Sequence, residues 1–373
     1  MLIRKAYRYR LYPNATQSEA LAKNFGCARF LYNHFLAIRK QYYVEHKEDR
    51  EKRGLSYFDT TSQLKNLKRA PEYIWLKEAQ SQVLQQSLKD LDRAYQNFFA
   101  KRAAFPRFHK KNGRQSIRYP QGVQVGENWV SLPKIGKIRA VIHRPCEGKI
   151  KNVTVMKTKS GSYYASVQVE LNVSEPSPSV ASAVGVDVGL KSFLVTSDGV
   201  SIPAPRFLLK AKKRLARLQR KMSRRQPGSA GREKARKLVA WQHEHVANQR
   251  KDFLHKTSHW LVHHYGLIGI EDLNVKDMVR NHQLARAITD AGWGELRRQL
   301  AYKGAWYGTQ VVVIDRFFPS SRTCSICSQV LPELALAERV WDCPHCGAHH
   351  DRDVNAAINL KNEAINRVGT TRI

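Results

Sequence analysis

Four cysteines in the last part of the 373-residue sequence constrain its fold more than any other feature. They read C-x2-C, fifteen intervening residues and C-x2-C, at positions Cys324, Cys327, Cys343 and Cys346. Two tight turns of this kind bring four sulfurs together as a tetrahedron, the geometry of a structural Zn²⁺ site. The alternative is a pair of disulfides, but nothing in the sequence indicates the secreted context in which disulfides persist. The spacing therefore predicts one Zn²⁺ ion held by these four cysteines.

Two further cysteines and three histidines do not belong to this pattern. Cys27 and Cys146 have no partner at a metal-ligand spacing, so we expect both to be buried free thiols. His345, His349 and His350 surround the second cysteine pair, but four sulfurs already complete a tetrahedral site. We therefore expect these histidines to lie at the surface or to contact phosphates.

The chain is strongly basic, with 64 Lys and Arg against 31 Asp and Glu and a formal net charge of +33 at pH 7. Charge of this size destabilises a compact chain by self-repulsion unless a polyanion neutralises it. The basic residues run along most of the sequence, and the hydrophobic fraction of 42% makes wholesale disorder unlikely. We therefore expect nucleic acid as the partner. An anionic membrane surface is a remoter alternative, because no predicted helix combines a basic face with a strongly apolar one.

A membrane-spanning protein is not expected, because the sequence has no apolar run near the roughly 18 residues that a bilayer requires. Charged residues follow directly after Met1, which argues against a signal peptide and against secretion. We expect the protein to be cytoplasmic.

The sequence of the first half of the chain predicts a β-sheet with a helical insertion. Residues 6–11 alternate as a strand does, with Arg8 and Arg10 on one face, and a capping box at residues 16–19 opens a helical stretch. Because a lone strand is not stable, it should complete a small antiparallel barrel or sheet with later strands. Those strands are predicted at residues 129–132, 138–142, 151–157 and 163–171.

A Ser- and Pro-rich stretch at residues 174–182 indicates a linker to a second domain. The elements predicted there are a strand hairpin from residue 183, two long basic helices joined near residues 226–230, a strand at 267–270, a helix at 292–307, a strand at 311–314 and a last helix from about residue 353. This order of hairpin, strand and closing helix is that of an RNase H-like α/β domain.

The positions of a few acidic residues in this second domain call for a physical explanation. Asp187 lies within an apolar strand, where an unpaired carboxylate costs on the order of several kcal/mol, and Glu271 ends another such strand. Asp351 and Asp353 lie at the start of the last helix, where the helix dipole favours the ionised form. Taken singly, each could be a buried hydrogen-bond acceptor or a helix cap. Taken together, clustered carboxylates require divalent cations, and two Mg²⁺ ions could then hydrolyse a phosphodiester.

At these positions the sequence resembles the TnpB family of transposon-encoded nucleases, which are relatives of type V CRISPR effectors. The matching segments are residues 10–13 (Arg-Leu-Tyr-Pro), 28–33 (Ala-Arg-Phe-Leu-Tyr-Asn), 185–191 (Gly-Val-Asp-Val-Gly-Leu-Lys), 270–274 (Ile-Glu-Asp-Leu-Asn), 318–321 (Phe-Pro-Ser-Ser) and 350–359 (His-Asp-Arg-Asp-Val-Asn-Ala-Ala-Ile-Asn). The ordered set covers essentially the whole chain and is more specific than any single motif.

The resemblance implies an α+β multidomain protein, with an antiparallel β-barrel wedge domain and an RNase H-like RuvC α/β domain that carries a zinc-ribbon insertion. The implied boundaries are 1–13 and 104–174 for the wedge domain, 14–103 for a helical recognition insert, 183–320 and 349–373 for the RuvC nuclease, and 321–348 for a zinc-binding target-nucleic-acid module.

The resemblance also implies the activity and its residues. A guide RNA encoded by the transposon pairs with target DNA beside a short transposon-associated motif, and the RuvC domain then cuts both DNA strands. By motif, the catalytic acids and the ligands of two Mg²⁺ ions are Asp187, Glu271 and Asp353, so that Asp351 fits better as the helix cap. The implied state is a monomeric ribonucleoprotein in a prokaryotic cytoplasm, associated with the nucleoid when it is bound to DNA.

Basic and amide side chains are the candidates for nucleic-acid contacts. Strand arginines and the segment after the helical insert would hold RNA phosphates, a basic helix face would line the guide–target heteroduplex, and two glutamines would read adenine edges of the motif. Solvated helix faces are the alternative for the glutamines and for the basic helix. The candidates are Arg8, Arg10, Gln82, Gln85, Arg107, Lys110, Lys111, Arg114, Lys213, Arg217, Arg220 and Arg224.

Two other classes of protein stay open at this point. A DNA transposase would use the same acidic residues for strand transfer without RNA. An RNA-guided DNA-binding repressor would bind its target without cutting it, and loss of one of the acids would indicate that class, but all three acids are present.

Overall fold

A computed structural model describes residues 1–49, 54–113, 115–176, 182–335 and 337–370. They form two compact units, Met1–Val173 and Ser174–Ile373, and each is described by itself. The division lies at the start of the Ser- and Pro-rich stretch from which the sequence predicts a linker.

The first unit is built around one antiparallel sheet of seven strands. The strands are β1 (Leu2–Tyr12), β2 (Gln115–Tyr119), β3 (Gln124–Val125), β4 (Trp129–Leu132), β5 (Gly136–Val141), β6 (Lys149–Lys157) and β7 (Tyr163–Asn172). Their spatial order is β2-β6-β7-β1-β5-β4-β3, which is a curled half-barrel. The sheet is open rather than a closed barrel, since β2 and β3 do not pair with each other within the described residues.

The first strand lies in the middle of this sheet, between β7 and β5. Tyr7, Tyr9 and Leu11 are buried in the core, while Arg8 and Arg10 lie on the opposite face. This alternation follows from the two-residue period of a strand, and it agrees with the expectation that the strand completes a later sheet. Strand β1 is longer than the sequence predicts, because it also pairs with the end of β7.

The helices of this unit are α1 (Ala15–His46), α2 (Tyr57–Leu67), a 3-10 helix (Pro71–Glu78) and α3 (Ser81–Phe99). The capping box that opens α1 is formed by Asn14 and Gln17, and not by residues 16–19. Asn14 Oδ1 accepts a 2.8 Å hydrogen bond from the Gln17 backbone N–H, and Gln17 Oε1 accepts one of 3.1 Å from the Asn14 N–H. Asn caps as well as Ser or Thr does, so the helix starts at the earlier residue.

The second unit contains a mixed sheet, a small two-stranded sheet and six helices within its described residues. The strands are β8 (Ala183–Val188), β9 (Ser192–Thr196), β10 (Ser201–Pro203), β11 (Leu267–Glu271), β12 (Gln310–Ile314), β13 (Val340–Asp342) and β14 (His349–Asp351). The helices are α4 (Phe207–Ser223), α5 (Ala230–His264), α6 (Val275–Met278), α7 (Ala285–Ala291), α8 (Trp293–Tyr307) and α9 (Arg352–Thr370).

The mixed sheet has the order β10-β9-β8-β11-β12, with β8, β11 and β12 parallel and β9 antiparallel to β8. Apolar side chains of β8 and β11 pack with helices α5 and α8 in one core. Helix α9 packs on the same strands. A Cβ atom on Gly185 would lie 1.8 Å from the carbonyl oxygen of Ala357, and one on Gly269 would lie 2.4 Å from that of Leu360. Glycine at these two positions therefore allows α9 to lie directly against the sheet.

Helices α4 and α5 pack against each other and are joined by a short turn, as the sequence predicts for a helical hairpin. Leu215 of α4 is buried, whereas the basic residues on the other side of α4 are exposed. Within the described part of the chain, no helix is both long enough and apolar enough to cross a membrane.

Candidate functional site

Asp187 and Glu271 lie at the same edge of the mixed sheet because their strands are parallel neighbours. The two strands pair in register up to the residue before each acid, so both acids follow at the carboxyl ends of the strands. Side chains alternate between the faces of a sheet, and each acid comes two residues after a glycine that lies against α9, Gly185 or Gly269. Both carboxylates therefore lie on the face of the sheet that α9 covers.

Helix α9 brings the third acid to the same place. Asp351 lies just before the helix and caps it, because its Oδ1 accepts 3.0 Å hydrogen bonds from the backbone N–H groups of Asp353 and Val354. Asp353 lies in the first turn, and its carboxylate is close enough to Asp187 to interact with it electrostatically. Of the two acids at the start of the helix, Asp353 interacts with the strand carboxylate of Asp187, and Asp351 is the cap.

The charges of these acids disfavour one another. The pKa of Asp187 is raised well above its ordinary value, first by burial and then by the carboxylates of Glu271 and Asp353. The guanidinium groups of Arg352 and Arg339 act in the opposite direction. Burial and like charge both disfavour an ionised carboxylate, and a nearby cation restores it. The three acids thus form a cluster that a cation would stabilise.

An arginine from outside the sheet contacts this cluster. Arg339 lies just before β13, and its Nη1 is 3.2 Å from Asp353 Oδ1. The Arg339 carbonyl oxygen also accepts a 2.8 Å hydrogen bond from the Arg352 backbone N–H. The segment before β13 is therefore attached to the start of α9 by its backbone and by its side chain.

Glu271 and the adjacent Asp272 have different partners. Glu271 Oε1 accepts a 2.6 Å hydrogen bond from the hydroxyl of Ser320. Asp272 forms ion pairs with Arg297 and, at 3.2 Å, with Arg316. Because two guanidinium groups already engage Asp272, Glu271 is the member of this pair that is available to a cation.

The four predicted cysteine ligands come together in the structure. Their sulfurs all lie within 4.8 Å of one another, with 3.6 Å between Cys324 and Cys346 and 3.6 Å between Cys327 and Cys343. Among the described residues, no other group of three or more His, Cys, Asp or Glu side chains meets this spacing, and the three carboxylates do not. Backbone N–H groups, first that of Cys346, lower the pKa of Cys343 to about 6, whereas the pKa values of Cys327 and Cys346 are raised by desolvation and by neighbouring thiols, as expected of sulfurs whose charges no cation offsets. The group fits a four-thiolate Zn²⁺ site.

His350 is not the surface residue that the sequence predicts. It is buried in β14, packs against Trp341 and places its Nε2 3.1 Å from the sulfur of Cys324. A ring nitrogen at this distance can donate a hydrogen bond to a thiolate, so His350 supports the sulfur group from outside it. His349 is exposed and pairs with Asp342, as expected of a surface residue.

The candidates for nucleic-acid contacts are distributed over both units. Arg8 and Arg10 lie over the ring of Tyr164, at 4.0 and 5.0 Å from its centroid. Gln82 and Gln85 are half-buried on α3, and Gln82 accepts a hydrogen bond from Gln80. The exposed candidates are Arg107, Lys110, Lys111, Lys213, Arg217, Arg220 and Arg224. Arg114 lies outside the described residues.

The first unit also contains a cleft of about 480 Å³ between α1, α3 and β2. Lys110, one of the candidates, lies in its wall together with Arg29, Arg118 and Gln86. Asp90 also lines the cleft and lies 3.9 Å from Arg118, so Arg29 and Lys110 are the cationic side chains that suit a phosphate-bearing ligand there.

Comparisons with known proteins agree with these observations. A relative from Streptomyces pristinaespiralis, named "Putative RNA-guided DNA endonuclease", is 40% identical over 363 residues, which cover 96% of this chain and 89% of that protein. The chain belongs to the TnpB family. Another TnpB relative is InsQ of Escherichia coli (strain K12), which carries the same name and is 37% identical over 373 residues, covering 95% of this chain and 91% of that protein.

Family models match three parts of the chain, and a solved structure shows its fold. A model described as a probable transposase, OrfB_IS605, matches residues 166–282, a Cas12f1-like TNB domain matches 293–360, and a helix-turn-helix domain matches 1–48. The fold is Cas12f-like: a cryo-EM structure of a Cas12f1-sgRNA-target DNA complex aligns with a TM-score of 0.53 and 13% identity over 97% of this chain and 99% of that one.

Two contacts at the site are absent from the sequence prediction. Neither a serine nor an arginine indicates a nuclease by its residue type, and neither Ser320 nor Arg339 stands at a spacing that does so. Ser320 lies in residues 318–321, one of the segments that match the TnpB family, so the sequence did indicate that this segment matters for the site. Arg339 lies in a chain with many arginines, and only the fold distinguishes it from the others.

Proposed function

We propose that this protein is an RNA-guided endonuclease of an insertion-sequence transposon, which cuts double-stranded DNA beside a short transposon-associated motif. The observation that carries the proposal is that Asp187 and Glu271 end two parallel neighbouring strands and Asp353 begins the helix that lies against them, in a chain of net charge +33. Cationic surfaces attract nucleic acid, and an acidic cluster within them is the place where hydrolysis of a phosphodiester can occur.

The acidic cluster fits Mg²⁺ by its donor chemistry. Mg²⁺ prefers oxygen ligands, binds through a few carboxylates and keeps water in its remaining positions. Burial and then the neighbouring carboxylates raise the pKa of Asp187, and a divalent cation would offset both effects. Bound Mg²⁺, in the proposed two-ion arrangement, would supply an activated water and stabilise the leaving oxygen.

In this mechanism the side chains of the protein hold the cations and orient the phosphate that is attacked. Asp187 would be the central ligand, because it interacts electrostatically with each of the other two acids. Glu271 and Asp353 would complete the ligand set from the neighbouring strand and the helix. Arg339, beside Asp353, is placed to neutralise negative charge that develops on the attacked phosphate.

The fold supports the finer assignment of domains. Strands β8 to β12 with α9 would be an RNase H-like RuvC domain, split into residues 183–320 and 349–373. Residues 321–348, with one Zn²⁺ on the four cysteines, would be a zinc-ribbon module that contacts target nucleic acid. In the first unit, residues 1–13 and 104–174 would form the wedge domain and 14–103 the recognition insert.

The proposed partners are a guide RNA and target DNA, bound by a monomeric protein. The exposed lysines and arginines after the recognition insert and along α4 would contact phosphates, and base pairing would read the target sequence. Arg8 and Arg10 would contact phosphates from the solvent face of β1. Gln82 and Gln85 would read the motif, as glutamine reads adenine.

The decisive experiment uses the protein purified with its guide RNA, matched target DNA and Mg²⁺. Asp187→Asn should abolish cleavage while target binding persists. The pair Asp353→Asn and Asp351→Asn is a matched test, because both changes remove one negative charge at the start of α9. Asn also caps helices well, so Asp351→Asn should keep cleavage within a few-fold of wild type, whereas Asp353→Asn should abolish it.

Other results would support the rival functions. Transfer of transposon ends by the protein without RNA would indicate a transposase. Binding of the guided target without Mg²⁺-dependent cutting, in wild type as in Asp187→Asn, would indicate a repressor.

A further inference from the structure

A loop between β12 and the cysteine group holds one of the three acids. Ser320 in this loop is 5% exposed, and its Oγ donates a 2.6 Å hydrogen bond to Oε1 of Glu271. Among the described residues, Ser320 is the hydrogen-bond donor to that carboxylate, and Oε2 has none. One oxygen of Glu271 is therefore held while the other stays free.

The backbone of Ser320 is held on both sides. Its N–H donates a 2.8 Å hydrogen bond to the carbonyl oxygen of Phe318, and its own carbonyl accepts one of 2.8 Å from Nδ2 of Asn359. Asn359 is buried on α9, the helix that also carries Asp353. The helix thus presents one acid directly and holds a second through Asn359 and Ser320.

A second asparagine of α9 fixes the continuation of the loop. Asn355 Nδ2 donates a 2.8 Å hydrogen bond to the carbonyl oxygen of Thr323, and its Oδ1 accepts one of 2.9 Å from the backbone N–H of Ser325. Asn359 also donates to Thr323, at 2.7 Å. These amides enclose Cys324, a predicted zinc ligand, so the loop cannot move independently of α9 or of the cysteine group.

The chemistry of the donor matters for a metal ligand. A neutral hydroxyl orients a carboxylate without cancelling its charge, so the carboxylate can still bind a cation. The adjacent Asp272 shows the contrast, because its two ion pairs with arginine neutralise it. A hydroxyl at Glu271 is therefore the kind of partner that a cation ligand requires and that a purely structural acid does not.

We propose that Ser320 is a positioning residue of the nuclease, which holds Glu271 by Oε1 so that Oε2 is available to a cation that Glu271 shares with Asp187. Asn359 holds Ser320 in the orientation that this requires. The inference rests on the proposed nuclease function and adds a residue to it.

The test compares Ser320→Ala with Ser321→Ala, the same chemical change at the neighbouring position. Ser321 has no hydrogen bond to an acid in the described residues. In the guide-RNA complex, Ser320→Ala should lower the single-turnover cleavage rate by about 10–100-fold, the usual effect of losing a partner of a metal ligand, with target-DNA affinity unchanged. Ser320→Thr keeps the hydroxyl and should restore most of the rate, and Ser321→Ala should cleave like wild type.

A second readout does not depend on cleavage. Free Mn²⁺ measured by electron paramagnetic resonance, with the full chain freed of nucleic acid, reports cation binding at the acids as the difference between wild type and Asp187→Asn. Ser320→Ala should weaken this binding by about 10-fold, and Asn359→Ala should weaken it in the same direction. Ser321→Ala should leave it unchanged.

The outcomes separate this inference from the nuclease proposal. If Asp187→Asn cleaves like wild type, the proposed function fails. If Asp187→Asn is inactive but Ser320→Ala matches Ser321→Ala in rate and in Mn²⁺ binding, the function stands and the role of Ser320 is wrong. If Ser320→Ala has a lower melting temperature than wild type but an unchanged Mn²⁺ affinity, Ser320 contributes to stability alone.

Discussion

Gly185 lies so close to Ala357 that a Cβ atom would be 1.8 Å from the Ala357 carbonyl oxygen. The backbone of the strand that carries Asp187 is therefore in direct contact with the backbone of the helix that carries Asp353. Any side chain between them would move the helix away from the strand. The distance between two of the three acids is thus set by a residue that has no side chain.

Gly185→Ala should displace α9 and impair the site. Overpacking usually costs about 1–3 kcal/mol, and the obstructing atom here is backbone, which cannot rotate away. We expect a lower melting temperature and a loss of cleavage greater than the loss of folded protein. The control is Gly294→Ala on α8, where nothing lies within 4 Å of the added atom and alanine should be neutral or stabilising. Equal activity in the two variants would contradict the close contact.

Arg339→Met should make the folded protein more dependent on Mg²⁺. The ion pair with Asp353 is half exposed, so it contributes at most about 1 kcal/mol by itself, but it also offsets the charge of Asp187. Without it, the three carboxylates lose a counter-charge that Mg²⁺ can replace. Melting temperatures measured with and without Mg²⁺ should show a larger Mg²⁺-dependent increase in the variant than in wild type, and an identical increase would count against this role.

Removal of zinc should abolish cleavage by disordering the segments that support Glu271 and Asp353. A structural Zn²⁺ site contributes on the order of 10 kcal/mol, so Cys343→Ser should not retain the fold of the module. Metal analysis should give about one Zn²⁺ per wild-type chain and a strongly reduced content in the variant. Cys146→Ala, at a half-buried thiol outside the group, is the control and should keep its zinc. Full activity of zinc-free protein would exclude the proposed support.

Lys303 should give the second unit a pH-dependent stability. Its ammonium group is buried, donates hydrogen bonds of 2.8 and 2.7 Å to the His255 carbonyl and the Ser258 hydroxyl, and burial lowers its pKa from 10.5 to about 8. Between these values the unfolded chain binds more protons than the folded one, so stability should rise as the pH increases through this window. The melting temperature of wild type relative to Lys303→Met should increase between pH 8 and pH 10, and a constant difference would refute the assignment.

Much of the second unit could be predicted because its strands are short apolar runs with strong boundaries. The strand that ends in Glu271 and the helix that begins near Asp353 were expected within a residue or two of their observed limits. The hydrogen bonds of Asp351 confirm the expectation that this residue caps the helix, whereas Asp353 stays a prediction as a cation ligand. Cap chemistry is local, so the sequence contains the information for it.

Contacts made by loops could not be predicted in this way. Ser320 meets Glu271 from 49 positions away, and Arg339 meets Asp353 from 14 positions away, through loops without a regular period. The capping box of α1 was placed two residues late because Thr and Ser near the start of a helix compete with Asn14 on equal terms. The sequence does not predict β2, because it is short and its partner β6 is distant along the chain, or β3, because it has only two residues.

The position of α9 after every other element of the second unit has a consequence for synthesis in the cell. Strands β8 and β11 can pair while the chain is still attached to the ribosome, but they carry only two of the three acids. The third acid, and the asparagine that fastens Ser320, emerge later on one segment. Among the described residues, a nascent chain therefore lacks one of the three proposed ligand acids, and the amide that fastens Ser320, until this last helix has docked.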